Sequence, residues 1–174
     1  EISKDRIRRA GKKIVEDIAD EAIALIESTP MLKESLVLVV AGEGWNPGVV
    51  GIVASRLVEK YYRPTIVLSL DREKGMAKGS ARSIEGFHLF NELAKNRDIL
   101  PHFGGHPMAA GMTLALEHVD ELRTRLDQQA RACLTEDQLI QKLHIDVPIE
   151  LNEISVEAIE EIRRLAPFGT DFPK

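Results

Sequence analysis

The chain has a single cysteine, Cys133, so no disulfide can close within it, and this usage fits a reducing, cytoplasmic setting. It lacks any apolar run near the roughly 18 residues of a membrane-spanning helix, and it lacks a charged-then-apolar leader. A membrane partner is therefore not expected. It also lacks a basic excess: 23 Lys and Arg against 28 Asp and Glu leave a formal charge of −5. That balance excludes a general field attracting polyanions, so any nucleic-acid site must be a local groove of cations. What the sequence does have is 174 residues with 44% hydrophobic content, enough for one domain with its own core and some additional structure.

Residues 3–28 predict one long helix, with Ile7, Ile14, Ile18 and Leu25 on one face and Ala10 and Ala22 beside them. At ~1.5 Å per residue it spans roughly 39 Å, more than a small domain needs, and it reads as a connector. Lys4, Arg6, Arg8, Arg9, Lys12 and Lys13 crowd its first half, a pattern expected of a solvated face. Thr29 and Pro30 end it. Residues 36–40 and 65–70 are short, continuous apolar runs of the kind found in strands buried on both faces. Between them, Asn46 as N-cap and Pro47 at the first helical position predict a helix buried through Val50, Val53, Ala54 and Leu57. Strand, helix and strand at this spacing make a βαβ unit with parallel strands.

After a polar turn at 71–75, residues 76–83 read as the return strand of a hairpin, and alternation sends Lys78, Ser80 and Arg82 to one face. That face is either solvated or a phosphate site, because the guanidinium fork donates two parallel hydrogen bonds. Residues 42–46 lie where ligands of parallel sheets gather, and are either a capped loop or an anion site. Phe87, Phe90, Leu93 and Ala94 mark another helix, ended at 99–101. Residues 103–111 then concentrate two adjacent glycines, His106 and a run of small side chains. They form either a turn into a buried strand or a close approach to a ligand. A strand continues through 112–116. Val119, Leu122, Leu126, Ala130 and Cys133 give the next helix its stripe, with Cys133 in the core. His88, His102, His118 and His144 have no partner at metal-ligand spacing and read as surface or satisfied side chains. Farther on, 144–149 predicts an edge strand because of Pro148, and Ser155 caps a helix with Ile154, Ala158, Ile162 and Leu165 facing inward. The turn-rich tail 166–174 looks like the start of another module. The fold class is α/β: a mixed sheet with a parallel βαβ unit and flanking helices, preceded by a long connector helix.

Three blocks, Gly44 to Arg56, Lys78 to Ser83 and Gly104 to Gly111, resemble in order and spacing the RecJ family of single-strand-specific exonucleases, within the DHH phosphoesterase superfamily. The resemblance implies a metal-dependent hydrolase that degrades single-stranded DNA from the 5′ end during repair and recombination. It implies Mn²⁺ or Mg²⁺ held by a DHH half; this sequence has no Asp-His-His triplet, so it resembles the other half, inactive alone and with no metal of its own expected. The implied organisation is a connector helix at 1–29 from an upstream DHH domain, a DHH-associated domain at 30–134, and a linker with the start of an oligonucleotide-binding-type domain at 135–174. The implied catalytic residue is His106, donating a hydrogen bond to the scissile phosphate. Lys78, Ser80, Arg82 and Ser83 are assigned to strand phosphates, and Gly104 and Gly105 to the scissile phosphate. Asn46 is also placed among the phosphate-binding residues; it stands where the family often has histidine, so a cap or hydrogen-bonding role is expected of it. The tail at 170–172 departs from the family's commoner glycine–asparagine form. Single-stranded DNA and the upstream domain are the implied partners of a monomer. The block at 104–111 is shared with oligoribonucleases and cyclic-dinucleotide phosphodiesterases; the Trp45 block argues for RecJ, and a non-catalytic nucleic-acid-binding module is the remaining alternative.

Overall fold

A computed structural model of the chain describes residues 4–142, 148, 150 and 154–166. They belong to two compact units, 1–141 and 142–174. In the first, the uninterrupted apolar runs become neighbouring strands: β1 (Leu38–Glu43) and β2 (Thr65–Asp71) pair in parallel, with α3 (Val50–Tyr61) between them in sequence. β3 (Met76–Arg82) returns antiparallel beside β2; β5 (Ala109–Ala115) pairs antiparallel with β3, and β4 (His102–Gly105) antiparallel with β5. The order β1-β2-β3-β5-β4 is the mixed sheet that the sequence predicts, with one parallel pair.

Alternation along the strands decides what each face meets. One face carries Val39, Ile66, Leu68, Ala77, Ala81, Met112 and Leu114, and it packs in one core with residues of α4 (Leu89–Ala94) and α5 (Val119–Cys133), among them Leu93, Leu122 and Leu126. Leu36 N–H donates to Asp127 Oδ1 at 2.6 Å and Arg123 Nε to the Val39 carbonyl at 3.1 Å, fastening α5 to β1. The opposite face carries Leu38, Val40 and Val67 in a second core with α3 and α1 (Lys4–Ser28). This cover thins at β3, where Gly51 lies against Ser80 and Arg82. Beyond it the same face of β3, β5 and β4 stays open to solvent.

Several expectations are corrected. The arc that α1 buries is Val15, Ile18, Ala19, Ala22 and Ile26, while Ile14 and Leu25 are 41% and 37% exposed. The buried arc is rotated to one side of the predicted stripe because the small Ala19 and Ala22 allow close packing there. A five-residue helix, α2 (Pro30–Glu34), follows the break at Thr29. α3 begins at Val50 and not at Pro47: Val49 N–H donates to the Asn46 carbonyl at 3.1 Å and Gly48 N–H to Asn46 Oδ1 at 2.8 Å. Asn46 therefore caps a turn that precedes the helix. The two glycines at 104 and 105 lie within β4, and the turn of the stretch is 106–108. Cys133 is exposed at the end of α5, outside the core; partial burial pushes its thiol up, which keeps it protonated. Tyr61 donates to Glu27 Oε1 at 2.7 Å and joins α3 to α1; burial and that carboxylate push its hydroxyl up to about 12.

In the second unit, α6 (Val156–Arg164) starts as predicted, with Ser155 Oγ accepting from Ala158 N–H at 3.1 Å. Ile154, Ala158, Ile162 and Leu165 are exposed, not inward-facing. The strand expected at 144–149, apart from Pro148, and the tail from 167 lie outside the described residues. Among the described residues no helix is long and apolar enough to cross a membrane.

Candidate nucleic-acid interface

The register turns the open face into rows. Lys78 lies opposite Thr113, which lies opposite His102; Ser80 opposite Gly111, which lies opposite Gly104; and Arg82 opposite Ala109. The β4–β5 hairpin continues one step further, with His106 N–H donating to the Ala109 carbonyl at 2.8 Å, so His106 completes the row of Arg82 and Ala109. The middle row has almost no side chain. Among the described residues, a Cβ at Gly104 would meet nothing within 4 Å, and one at Gly111 only the Gly79 carbonyl at 3.9 Å. Packing within the chain therefore does not require glycine at either position. Their effect is a bare backbone floor between two polar rims.

The rims carry uncompensated charge. Lys78 and Arg82 take part in none of the ion pairs among the described residues, unlike Arg72 with Glu43, Arg123 with Asp120 or Lys74 with Asp71. Arg82 Nη1 donates to the Ala81 carbonyl at 2.8 Å, which steadies the fork and leaves its other N–H groups available. Above the Lys78 row is a hollow of about 510 Å³ lined by Pro47, Lys78, Ser80, Pro101, His102 and Thr113, among others. A second hollow of about 930 Å³ adjoins it at Pro47, Lys78 and Thr113 and extends past Asn46 to the ends of β1 and β2.

Not every expected residue reaches this face. Ser83 is 5% exposed; its N–H donates to the Met108 carbonyl at 3.0 Å and its hydroxyl to the Phe87 carbonyl at 2.6 Å. Its place is behind the hairpin tip, which it holds, and not on the floor. Gly105 has φ 155°, and a Cβ there would run into the Ala109 carbonyl and Ala110, so glycine is needed for the hairpin to close. Asn46 lines the larger hollow, apart from the Ser80 row. His102 is the residue that sequence reasoning missed. Its signal is its position two residues before Gly104 on a strand, which puts both on one face.

The loop bearing Asn46 is held at Trp45, which is 6% exposed. Its Nε1 donates to Glu21 Oε2 of α1 at 2.8 Å, and its carbonyl accepts from Ser69 Oγ at 2.5 Å. The indole lies on Gly42, where a Cβ would overlap the ring. Gly42→Ala is expected to lower stability by about 1–3 kcal/mol, since ring and loop must shift; the midpoint of urea unfolding measures it.

No three His, Cys, Asp or Glu side chains gather into a possible metal site among the described residues. Residues 33–132, which contain the whole sheet and its open strip, match the DHHA1 domain family, and the chain belongs to it. The chain is 52% identical over 170 residues to the single-stranded-DNA-specific exonuclease RecJ of Bacillus subtilis, and 32% identical over 176 residues to that of Haemophilus influenzae. These alignments take in 98% of this chain, which spans only 21% and 30% of those relatives. The structure is similar to that of RecJ from Thermus thermophilus in complex with Mg²⁺, with a TM-score of 0.76 and 25% identity, over 97% of this chain and 25% of that one. The Mn²⁺ complex of the same enzyme gives the same TM-score.

Proposed function

We propose that this chain is the strand-holding half of a metal-dependent exonuclease that degrades single-stranded DNA from its 5′ end in repair and recombination. The observation that supports this reading is the glycine floor of Gly104 and Gly111 between the cation-bearing rows of Lys78 and Arg82. Such a floor admits a sugar–phosphate backbone close to the sheet, and the rims neutralise its charge. Ser80 and Arg82 hold one phosphate, Gly104 lets the scissile phosphate approach, and His106 donates a hydrogen bond to one of its oxygens. On this reading α1 is the connector to a DHH domain, and the residues from 135 lead into an oligonucleotide-binding-type domain. Mg²⁺ or Mn²⁺ belongs to the DHH domain and supplies Lewis-acid activation there. The residues of this chain bind and orient the strand.

Gly104→Val in the intact protein tests the floor. Because a Cβ there meets no described residue within 4 Å, the melting temperature should stay within a few degrees, while hydrolysis of long single-stranded DNA falls more than about tenfold. Unchanged hydrolysis would refute the floor's role. The unsubstituted protein should prefer long strands to dinucleotides; the opposite preference would move it to the dinucleotide-cleaving enzymes, and no cleavage of either to the binding modules.

A further inference from the structure

Lys78, Thr113 and His102 form a complete cross-strand row, one step along from the row of Ser80, Gly111 and Gly104. A step of two residues along a strand is roughly 6.6 Å. That is comparable with the separation of successive phosphates along an extended single strand. The row lines the 510 Å³ hollow together with Pro47 and Pro101. His102 is exposed and its side chain makes no hydrogen bond or ion pair with any described residue. The row thus presents an ammonium, a hydroxyl and an imidazole, all able to donate, with no acceptor of their own among the described residues.

We infer that His102 and Thr113, with Lys78, form a second phosphate site that holds the phosphodiester next to the one held by Ser80 and Arg82. This inference rests on the proposed strand-binding role and adds to it a site, its ligand chemistry and a path. A phosphate there lies where the two hollows meet, so the strand passes from the glycine floor over Lys78 and Thr113 toward the loop of Trp45 and Asn46. The smaller hollow has Lys78, Ser80, His102 and Thr113 in its lining, donors that suit a charged backbone.

The test uses the intact protein with chelator present, so that the strand is bound and not cut, and measures fluorescence anisotropy with labelled oligothymidylates. His102→Ala and Thr113→Val should each weaken binding about three- to tenfold, and His102→Arg should retain it. A series of strands with one neutral methylphosphonate linkage, moved a position at a time, locates the site. One linkage should weaken binding to the unsubstituted protein and have little further effect on His102→Ala. Its neighbour should behave in the same way toward Arg82→Ala. If Arg82→Ala weakens binding while His102→Ala and Thr113→Val leave both affinity and the methylphosphonate pattern unchanged, the second site is refuted and the strand-binding role stands. If Arg82→Ala also changes nothing, the strand-binding role itself is refuted, and the second site with it.

Discussion

Arg82→Ala is expected to lower the affinity of the intact protein for single-stranded DNA by about 10- to 100-fold, the range of a charged hydrogen bond worth roughly 1.5–3 kcal/mol. Three features make the loss large. The fork is steadied by the Ala81 carbonyl, it has no carboxylate partner among the described residues to compete with a phosphate, and it stands in one cross-strand row with Ala109 and His106. The same substitution should reduce the slope of log affinity against log salt by about 0.7, the share of one phosphate contact on a single strand. Arg82→Lys should recover the salt slope but only part of the affinity, since an ammonium keeps the charge and loses the bidentate geometry. Anisotropy titrations over a range of salt concentrations measure both quantities. Equal affinity and slope in Arg82→Ala and the unsubstituted protein would remove the groove.

His106→Ala should act on chemistry more than on binding. In the intact protein, single-turnover cleavage of single-stranded DNA is expected to fall by about 10²–10³-fold while strand affinity changes less than about threefold, as when one preorganised donor to a developing charge is removed. The preorganisation is visible in the hairpin. His106 N–H is bound to Ala109, Ser83 N–H holds the Met108 carbonyl, and Leu89 N–H holds the Pro107 carbonyl at 2.9 Å, so consecutive residues of the tip are fixed by their own backbone. A loss of affinity that accounts for the whole loss of rate would show that His106 only binds.

Much of this arrangement was legible in the residues. The apolar runs at β1 and β2, the stripe of Val50, Val53, Ala54 and Leu57, and the alternation that brings Lys78, Ser80 and Arg82 together all follow from local periodicity. What was not legible depended on partners distant in sequence. The arc of α1 was set by how close Ala19 and Ala22 bring it to its neighbours, and strength of hydrophobicity alone favoured Ile14 and Leu25. Asn46 has the right chemistry for a helix cap, yet the three residues after it fold as a turn first. Ser83 shares a motif with Ser80 and Arg82, but the strand ends between them and turns its hydroxyl to Phe87. His102 carried no motif, and only the register of β4 on β5 gave it Lys78 and Thr113 as companions.

Trp45 has a mechanical consequence. Its carbonyl is tied to the sheet through Ser69 and its indole to α1 through Glu21, with the ring wedged on Gly42. One residue therefore works as a strut between a rigid wall and a long arm. A displacement of α1 pulls on the Trp45–Asn46 loop through that hydrogen bond, so one edge of the larger hollow answers to both the sheet and the helix.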